Sequence, residues 1–381
     1  MKKVLLRGPL LTSSGYGEHS RQFFRWLETR DDIELKVQCL NWGTTTWYID
    51  SEIEEGLIGR IMSKTNFDLQ KESFDISIQI QLPDEWDTSI AKYNVGVSAF
   101  IETTKTTKKW YECCTKMDKV ISPSMHALKS VLENGSLGKK AIVVNEPLNP
   151  LVLKKDKDFE LELSTDFNFL IISQLTDMSP DLDRKNIIKT LKAFIEKFDG
   201  NKDVGLVIKT NIGRATTKDR RITKEILTNI INTHRKTQYP RIHMIHGLMT
   251  PQEMCSLYNH PKVKCFVSLT RGEGYGLPLM EAAANKLPII ATGWSGHLDF
   301  LKDFLKVKYS LIPIPEAKTD NRIFEKNTFW AEPSIDDFKE KLGLLMSDYK
   351  RFKKIAEKQS YRIKKDFSQS VFNKKMNEII K

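Results

Sequence analysis

Apolar runs of three to eight residues, separated by stretches with helical spacing, lay out this chain twice over. In the first half, 4–6, 74–80, 93–100 and 119–122 read as strands, and 74–80 (Phe-Asp-Ile-Ser-Ile-Gln-Ile) alternates with period two. Helices are predicted over about 18–29, where Phe23, Phe24 and Leu27 share a face, and over 123–135, where Gly135 is the stop signal. Residues 41–74 lack a clear period and read as an insertion or an irregular helix. In the second half, strands are predicted at 168–172, 204–209, 242–245, 265–267, 288–291 and 309–312. Between them Ile187, Leu191, Phe194, Ile195 and Phe198 mark one helix, and Ile222, Ile226, Leu227 and Ile230 mark another. Three charged helices follow, at 336–346, 349–364 and 367–380.

Strand and helix in alternation imply a parallel sheet covered on both faces. A chain of 381 residues also exceeds what one core usually holds. The expected fold class is therefore α/β, with two Rossmann-like doubly wound domains facing a cleft. The expected boundaries are 1–160 for the first domain and 161–348 for the second, with Pro147, Pro150 and the charged run 154–160 as linker. A basic segment, 349–381, is expected to pack back on the first domain. Ligands of such sheets bind beyond the carboxyl ends of the strands.

One stretch has the chemistry for that position. Lys264 to Ala284 passes from an apolar strand through Gly272, Gly274 and Gly276 into a helix marked by Leu277, Met280 and Ala284, with Pro278 in a first turn that tolerates it. The amides and positive dipole end at such a junction bind phosphate or diphosphate. Glu273 and Glu281 bracket it, roughly 8–12 Å apart at about 1.5 Å of rise per helical residue. That separation suits hydroxyls on either side of a diphosphate and is too long for paired metal ligands.

Glu273-Gly-Tyr-Gly-Leu-Pro-Leu-Met-Glu281, continued by Leu287-Pro-Ile-Ile-Ala-Thr-Gly-Trp-Ser-Gly296, resembles the signature of retaining GT-B glycosyltransferases, family 4 in particular (glycosyl transferases group 1). The resemblance implies that Glu273 contacts donor-sugar hydroxyls and Glu281 the ribose. It implies too that Gly274, Tyr275, Gly276 and Leu277 line the sugar and phosphates. Lys185, in Asp-Arg-Lys-Asn, matches the family lysine that stabilises the leaving diphosphate. The family's upstream arginine would fall near Ser173-Gln174, where there is none, so Arg184 or Lys209 completes the clamp. The first glycine loop, Ser14-Gly15-Tyr16-Gly17, corresponds to the family loop that approaches donor phosphate and acceptor. It lacks the third glycine of the dinucleotide fingerprint. Where many family members carry a histidine, this chain has Phe100-Ile-Glu102, and Glu102 is the substitute candidate on the acceptor side.

Charge and cysteines bear on partners. The net charge of +11 is uneven: residues 50–87 hold three basic and ten acidic side chains, residues 349–381 eleven and three. A basic terminal segment admits nucleic acid, anionic lipid at a membrane surface or an acidic glycan as contact. Five cysteines, with Cys113 and Cys114 adjacent, fit neither a disulfide framework nor zinc spacing and read as buried reduced thiols. Asp156-Lys-Asp158 and Asp181-Leu-Asp183 invite a metal reading, which the neighbouring Arg184 and Lys185 oppose. His246 and His297 lack partners at ligand spacing and read as hydrogen-bonded structural residues. With no metal, no cofactor beyond the co-substrate, and neither signal peptide nor membrane span, the expectation is a cytoplasmic, metal-independent glycosyltransferase. It would use a nucleotide-diphosphate sugar, UDP- or GDP-linked, and a glycan, lipid-linked saccharide or hydroxymethylated DNA base as acceptor. The alternatives are a sugar-nucleotide epimerase of the same shape and a catalytically silent nucleotide-sugar binding protein.

Overall fold

A computed structural model of the chain describes residues 1–65 and 72–380. It comprises two compact units. One takes Met1–Asn149, Asp320–Thr328 and the end of the chain from Phe367; the other takes Pro150–Thr319 and Phe329–Asp366. The insertion expected over 41–74 lies partly outside the described residues, at 66–71.

The first unit runs β1 (Lys2–Gly8), α1 (Gly15–Leu27), β2 (Ile33–Cys39), α2 (Leu57–Lys64), β3 (Phe74–Ile80), β4 (Ala91–Val97), α3 (Lys108–Lys116), β5 (Lys119–Ser122), α4 (Met125–Leu132) and β6 (Ala141–Val143). Its six strands are all parallel, in the order β2-β1-β3-β4-β5-β6, so the direction of winding reverses between β1 and β3. Strands buried on both faces read as unbroken apolar runs, as Val4-Leu5-Leu6 does. Phe23, Phe24 and Trp26 of α1 are fully buried against this sheet, each contributing about 1.5–3 kcal/mol of transfer free energy. The predicted strands omit β2 and β6. The period-two alternation of β2 (Ile33-Glu-Leu-Lys-Val-Gln-Cys39) is the same signal as that of β3 and was overlooked, whereas β6 is only three residues long.

The second unit runs β7 (Phe167–Ile172), α5 (Ile187–Lys197), β8 (Val204–Thr210), α6 (Thr217–His234), β9 (Arg241–His246), α7 (Pro251–Tyr258), β10 (Val263–Ser268), α8 (Leu277–Ala284), β11 (Ile289–Thr292), β12 (Leu305–Val307), β13 (Tyr309–Pro313), β14 (Phe329–Pro333), α9 (Ile335–Ser347) and α10 (Tyr349–Asp366). The parallel order is β12-β11-β10-β7-β8-β9, with its reversal between β7 and β10. The strand expected at 309–312 is not part of this sheet. As β13 it pairs antiparallel with β14, and β12 takes the sixth parallel position. The reason is visible in the burial: Tyr309, Ser310 and Leu311 are exposed, whereas Leu305 and Val307 enter the core.

The terminal basic segment divides between the units. In α10, Phe352, Ala356 and Ile363 are buried, and Ser360 Oγ donates to Ala284 O at the end of α8. The last helix, α11 (Gln369–Ile379), buries Phe372 and Met376 in the first core, where Phe372 meets Phe23 edge-on and Asn377 accepts from Trp26 Nε1. Among the described residues no helix is long and apolar enough to cross a membrane. All five cysteines are free thiols. Cys114, Cys255 and Cys265 are buried; Cys39 and Cys113, expected buried as well, are only half-buried.

Candidate active site

In an open parallel sheet the crevice for a ligand opens where the strand order reverses. In the second unit that point lies between β7 and β10, and the loops leaving their carboxyl ends carry Arg184-Lys185 and Glu273. Lys185 Nζ donates to both Glu273 oxygens, 2.7 Å each, and Arg184 Nη1 donates to Gly272 O at 2.6 Å while lying 4.0 Å from the carboxylate. Burial alone would raise the Glu273 pKa. The Lys185 ammonium and the Arg184 guanidinium outweigh it and hold the carboxyl below its usual range.

Side chains that the pattern did not single out set this geometry. Arg271 is fully buried. Its guanidinium pairs with Glu332 (Nη2 to Oε2, 2.7 Å), donates to the carbonyls of Pro180, Asp181 and Asp183, and lies over the Trp330 ring. One residue thus sews the lysine loop, the glycine turn and β14 together. Asp183 spends its carboxylate on Thr176 Oγ1 and on the amides of Lys185 and Ile187, so it caps α5. Asn186 precedes α5 at φ +57°, a left-handed conformation that asparagine tolerates better than most residues, and its Nδ2 donates to Leu269 O. These are the contacts that aim Lys185.

The glycine turn is braced from its far side. Gly276 adopts φ +105°, and a Cβ there would press on His297. Ser295 Oγ accepts the Glu273 amide at 2.9 Å, and the Gly296 amide donates to Glu273 O at 3.0 Å. Ser295 does so at φ +93°, ψ −163°, a region that is essentially reserved for glycine, while 4% exposed. His297 is fully buried, its Nε2 2.8 Å from Thr292 O and its Nδ1 3.5 Å from Ser295 Oγ. Burial holds its pKa below the ordinary histidine value. The sequence contains the signal, Ser-Gly where a turn hugs another turn, but only φ exposes its strain.

Helix starts sharpen the contrast. Ser14, Ser124, Thr216, Thr250, Ser334 and Ser368 cap α1, α4, α6, α7, α9 and α11 through their hydroxyls. Gly276 has no side chain with which to cap α8, and α2, α3 and α5 likewise start without a hydrogen bond from their N-cap side chain. One turn on, Glu281 Oε2 accepts from the buried Tyr258 hydroxyl at 2.9 Å, which orients the carboxylate from α7. Lys209, at the end of β8, donates to Gly247 O at 2.8 Å, and burial lowers its pKa. The cations brought to Glu273 are therefore Lys185 and Arg184.

In the first unit, Gly15 opens α1 and a Cβ there would meet open space, whereas Gly17 is a packing glycine whose Cα faces the Thr12 and Pro9 carbonyls. Tyr16 stacks on Trp42 at 4.0 Å and its hydroxyl bonds Ser98 Oγ and the Ala99 amide. Glu102 lies half-buried in the loop after β4, two residues beyond Phe100, which is held at φ +49°. His19 and Glu146 are buried, 3.9 Å apart. Among the described residues no group of three His, Cys, Asp or Glu side chains could hold a metal ion.

No family model matches this sequence, nor does any curated protein. Solved structures do match in fold. The chain is similar to HepE of Anabaena, solved in complex with UDP and glucose, with a TM-score of 0.63 at 10% identity, covering 100% of this chain and 99% of that one. It is similar to the lipopolysaccharide outer core galactosyltransferase WaaB in its apo form, with a TM-score of 0.59 at 15% identity, covering 100% and 99%. It is also similar to the pneumococcal O-GlcNAc transferase GtfA in complex with UDP and GlcNAc, with a TM-score of 0.51 at 16% identity, covering 90% of this chain and 63% of that one. At these identities the likeness is one of fold: two doubly wound α/β units, the architecture of GT-B glycosyltransferases, as the motif resemblance implied.

Proposed function

We propose that the chain is a glycosyltransferase that moves a sugar from a nucleotide-diphosphate sugar to an acceptor hydroxyl. The observation that carries this reading is the Lys185–Glu273 pair at the switch point of the second sheet, beside a helix start without a side-chain cap. UDP and sugar ligands in the HepE and GtfA structures support the donor class.

In this reading the α8 amides at Gly276 and Leu277 face the diphosphate, and Glu281, oriented by Tyr258, accepts from ribose hydroxyls. Gly274 and Tyr275 line the sugar, and Glu273 accepts from its hydroxyls. As the bond from the anomeric carbon to the diphosphate oxygen breaks, its electron pair goes to the diphosphate. Lys185 and Arg184 stabilise the charge that builds there, an effect typically worth about 10²–10³ in kcat per donor. The acceptor oxygen forms the new bond to the anomeric carbon and its proton passes to the departing diphosphate. Retention of configuration and freedom from metal follow the motif resemblance and belong to this proposal, as does an acceptor-side role for Glu102 and Gly15.

The test is a pair of variants. Glu273→Gln should abolish transfer while leaving UDP affinity within about threefold, since Glu273 meets the sugar and not the nucleotide. Glu281→Ala should weaken UDP binding. Normal turnover in the first variant, or an unchanged dissociation constant in the second, would sink the corresponding role.

A further inference from the structure

The two ends of the charge distribution lie on different units. The α10 helix of the second unit carries eight basic and two acidic residues. The rim of the first unit, where its strands end, is the reverse. Its loops at 9–14, 40–56, 81–90, 98–107, 123–124 and 144–149 hold nine acidic residues and a single lysine, Lys105. From Val37 to Gly59 there is neither lysine nor arginine. Arg21 and Arg25 of α1 are already paired, with Glu18 and Glu54 in a buried network. Arg322 binds Asp84 and Glu85.

On this rim the segment after β2 is sewn to the glycine loop. Ser13 N donates to Thr46 O, Tyr48 N donates to Leu11 O at 2.7 Å, and Thr12 and Trp47 form an antiparallel bridge. Side chains alternate along it. Tyr48 turns inward under the Arg21 guanidinium, while Trp47 and Ile49 turn out, 36% and 81% exposed. The half-buried Trp42 lies in the same segment, stacked on Tyr16 next to the open face of Gly15. One exposed and one half-buried tryptophan ring among carboxylates, threonines and Asn41, with no lysine or arginine in the segment, are suited to one acceptor chemistry. The negative faces of the rings attract the C–H faces of pyranose sugars, and the carboxylates accept from hydroxyls. Polyanions need lysine or arginine to replace the counterions they shed; the rim loops themselves offer Lys105, while Arg322 is held by Asp84 and Glu85 and Arg7 donates to Glu85 O and Gln79 Oε1, all outside the segment 41–50.

We infer that the segment 41–50 of the first unit, with Trp47 and Trp42 as its platform, binds the acceptor, and that this acceptor is an uncharged saccharide. The inference deepens the transferase reading and rests on it for the word acceptor; saccharide binding at the platform stands separately.

The experiment titrates the full chain with hexasaccharides of glucose, mannose and N-acetylglucosamine, with heparin hexasaccharide and with single-stranded DNA. UDP is titrated in parallel. At least one neutral hexasaccharide should bind, with an affinity that moves less than about twofold over a salt range in which a polyanion would lose orders of magnitude. Trp47→Ala should weaken that binding by about tenfold or more, the scale of one lost aromatic contact, and Trp47→Phe should restore most of it. UDP affinity should be the same in all three proteins. Tighter, steeply salt-dependent binding of heparin or DNA, or unaltered saccharide binding in Trp47→Ala, would overturn the platform. Failure of the wild type to bind UDP would instead overturn the donor reading.

Discussion

Ser295 Oγ holds the amide of Glu273 at 2.9 Å from a backbone conformation that favours glycine. A strained residue of this kind costs on the order of 1–3 kcal/mol, and the hydrogen bond returns roughly 0.5–1.5 kcal/mol. The fold would therefore be at least as stable with glycine here. What serine adds is a fixed Glu273.

Ser295→Gly should accordingly melt at the same temperature as the wild type or higher, yet turn over more slowly, by about 10-fold to 100-fold, the cost of a small misplacement of a positioned group. Ser295→Ala, which keeps the strain and loses the hydroxyl, should be slow and less stable. Full turnover in Ser295→Gly would show that the hydroxyl does not position Glu273.

Gly296 presses its Cα on the Gly274 and Glu273 carbonyls, leaving no room for a Cβ. Gly296→Ala should lose about 1–3 kcal/mol by denaturant unfolding through overpacking. It should also lose transfer, because the relief available is movement of the 273–274 peptide. A variant with wild-type stability and rate would contradict the packing described.

Arg271 and Lys185 make different predictions despite their shared charge. Arg271→Met leaves Glu332 with Lys189, 3.0 Å away, as its remaining cation, and leaves three backbone carbonyls without their buried donor. With three buried carbonyls unsatisfied at about 1–3 kcal/mol each, it should destabilise the second unit by more than about 3 kcal/mol, measured by denaturant unfolding. Lys185→Ala takes both 2.7 Å bonds from the buried Glu273 and leaves it Arg184 at 4.0 Å, so it should cost about 1–3 kcal/mol, less than Arg271→Met, and reduce kcat by about 10²–10³. Equal effects of the two on stability would merge the roles separated here.

These residues show what was legible in the sequence. Apolar period and glycine placement were sufficient for four strands of the first parallel sheet and five of the second, and the Glu273 to Glu281 spacing marked the turn. The pairing of Lys185 with Glu273 was not visible in that way, because it joins loops 88 residues apart. Arg271 looked like one more charge beside a glycine turn; only burial identifies it as a structural clamp. Tyr309 to Ile312 had the composition of a core strand, and it took the competing claim of Leu305 and Val307 on the sheet edge to displace it. The net charge of +11 pointed toward polyanions until the fold assigned its basic helix α10 and its acidic rim to different units.

His19 gives a pH dependence with a definite sign. Burial drives its pKa from 6.5 to about 3 in the folded chain. The unfolded chain takes up this proton first as pH falls, so the contribution is fully present above about pH 6.5 and is lost toward pH 3, at about 1.4 kcal/mol per pH unit within the window. The difference in stability between wild type and His19→Gln, followed by denaturant unfolding from pH 7 to 5, should shrink accordingly. A difference independent of pH would mean that His19 is protonated equally in both states.

The central claim is transfer from a nucleotide-diphosphate sugar, and mass spectrometry of the full chain incubated with UDP- and GDP-sugars and neutral oligosaccharides tests it most directly. The account predicts release of the nucleoside diphosphate together with an acceptor heavier by one sugar residue, both abolished in Glu273→Gln. Donors that stay intact, or that change sugar configuration with no gain in acceptor mass, would contradict it.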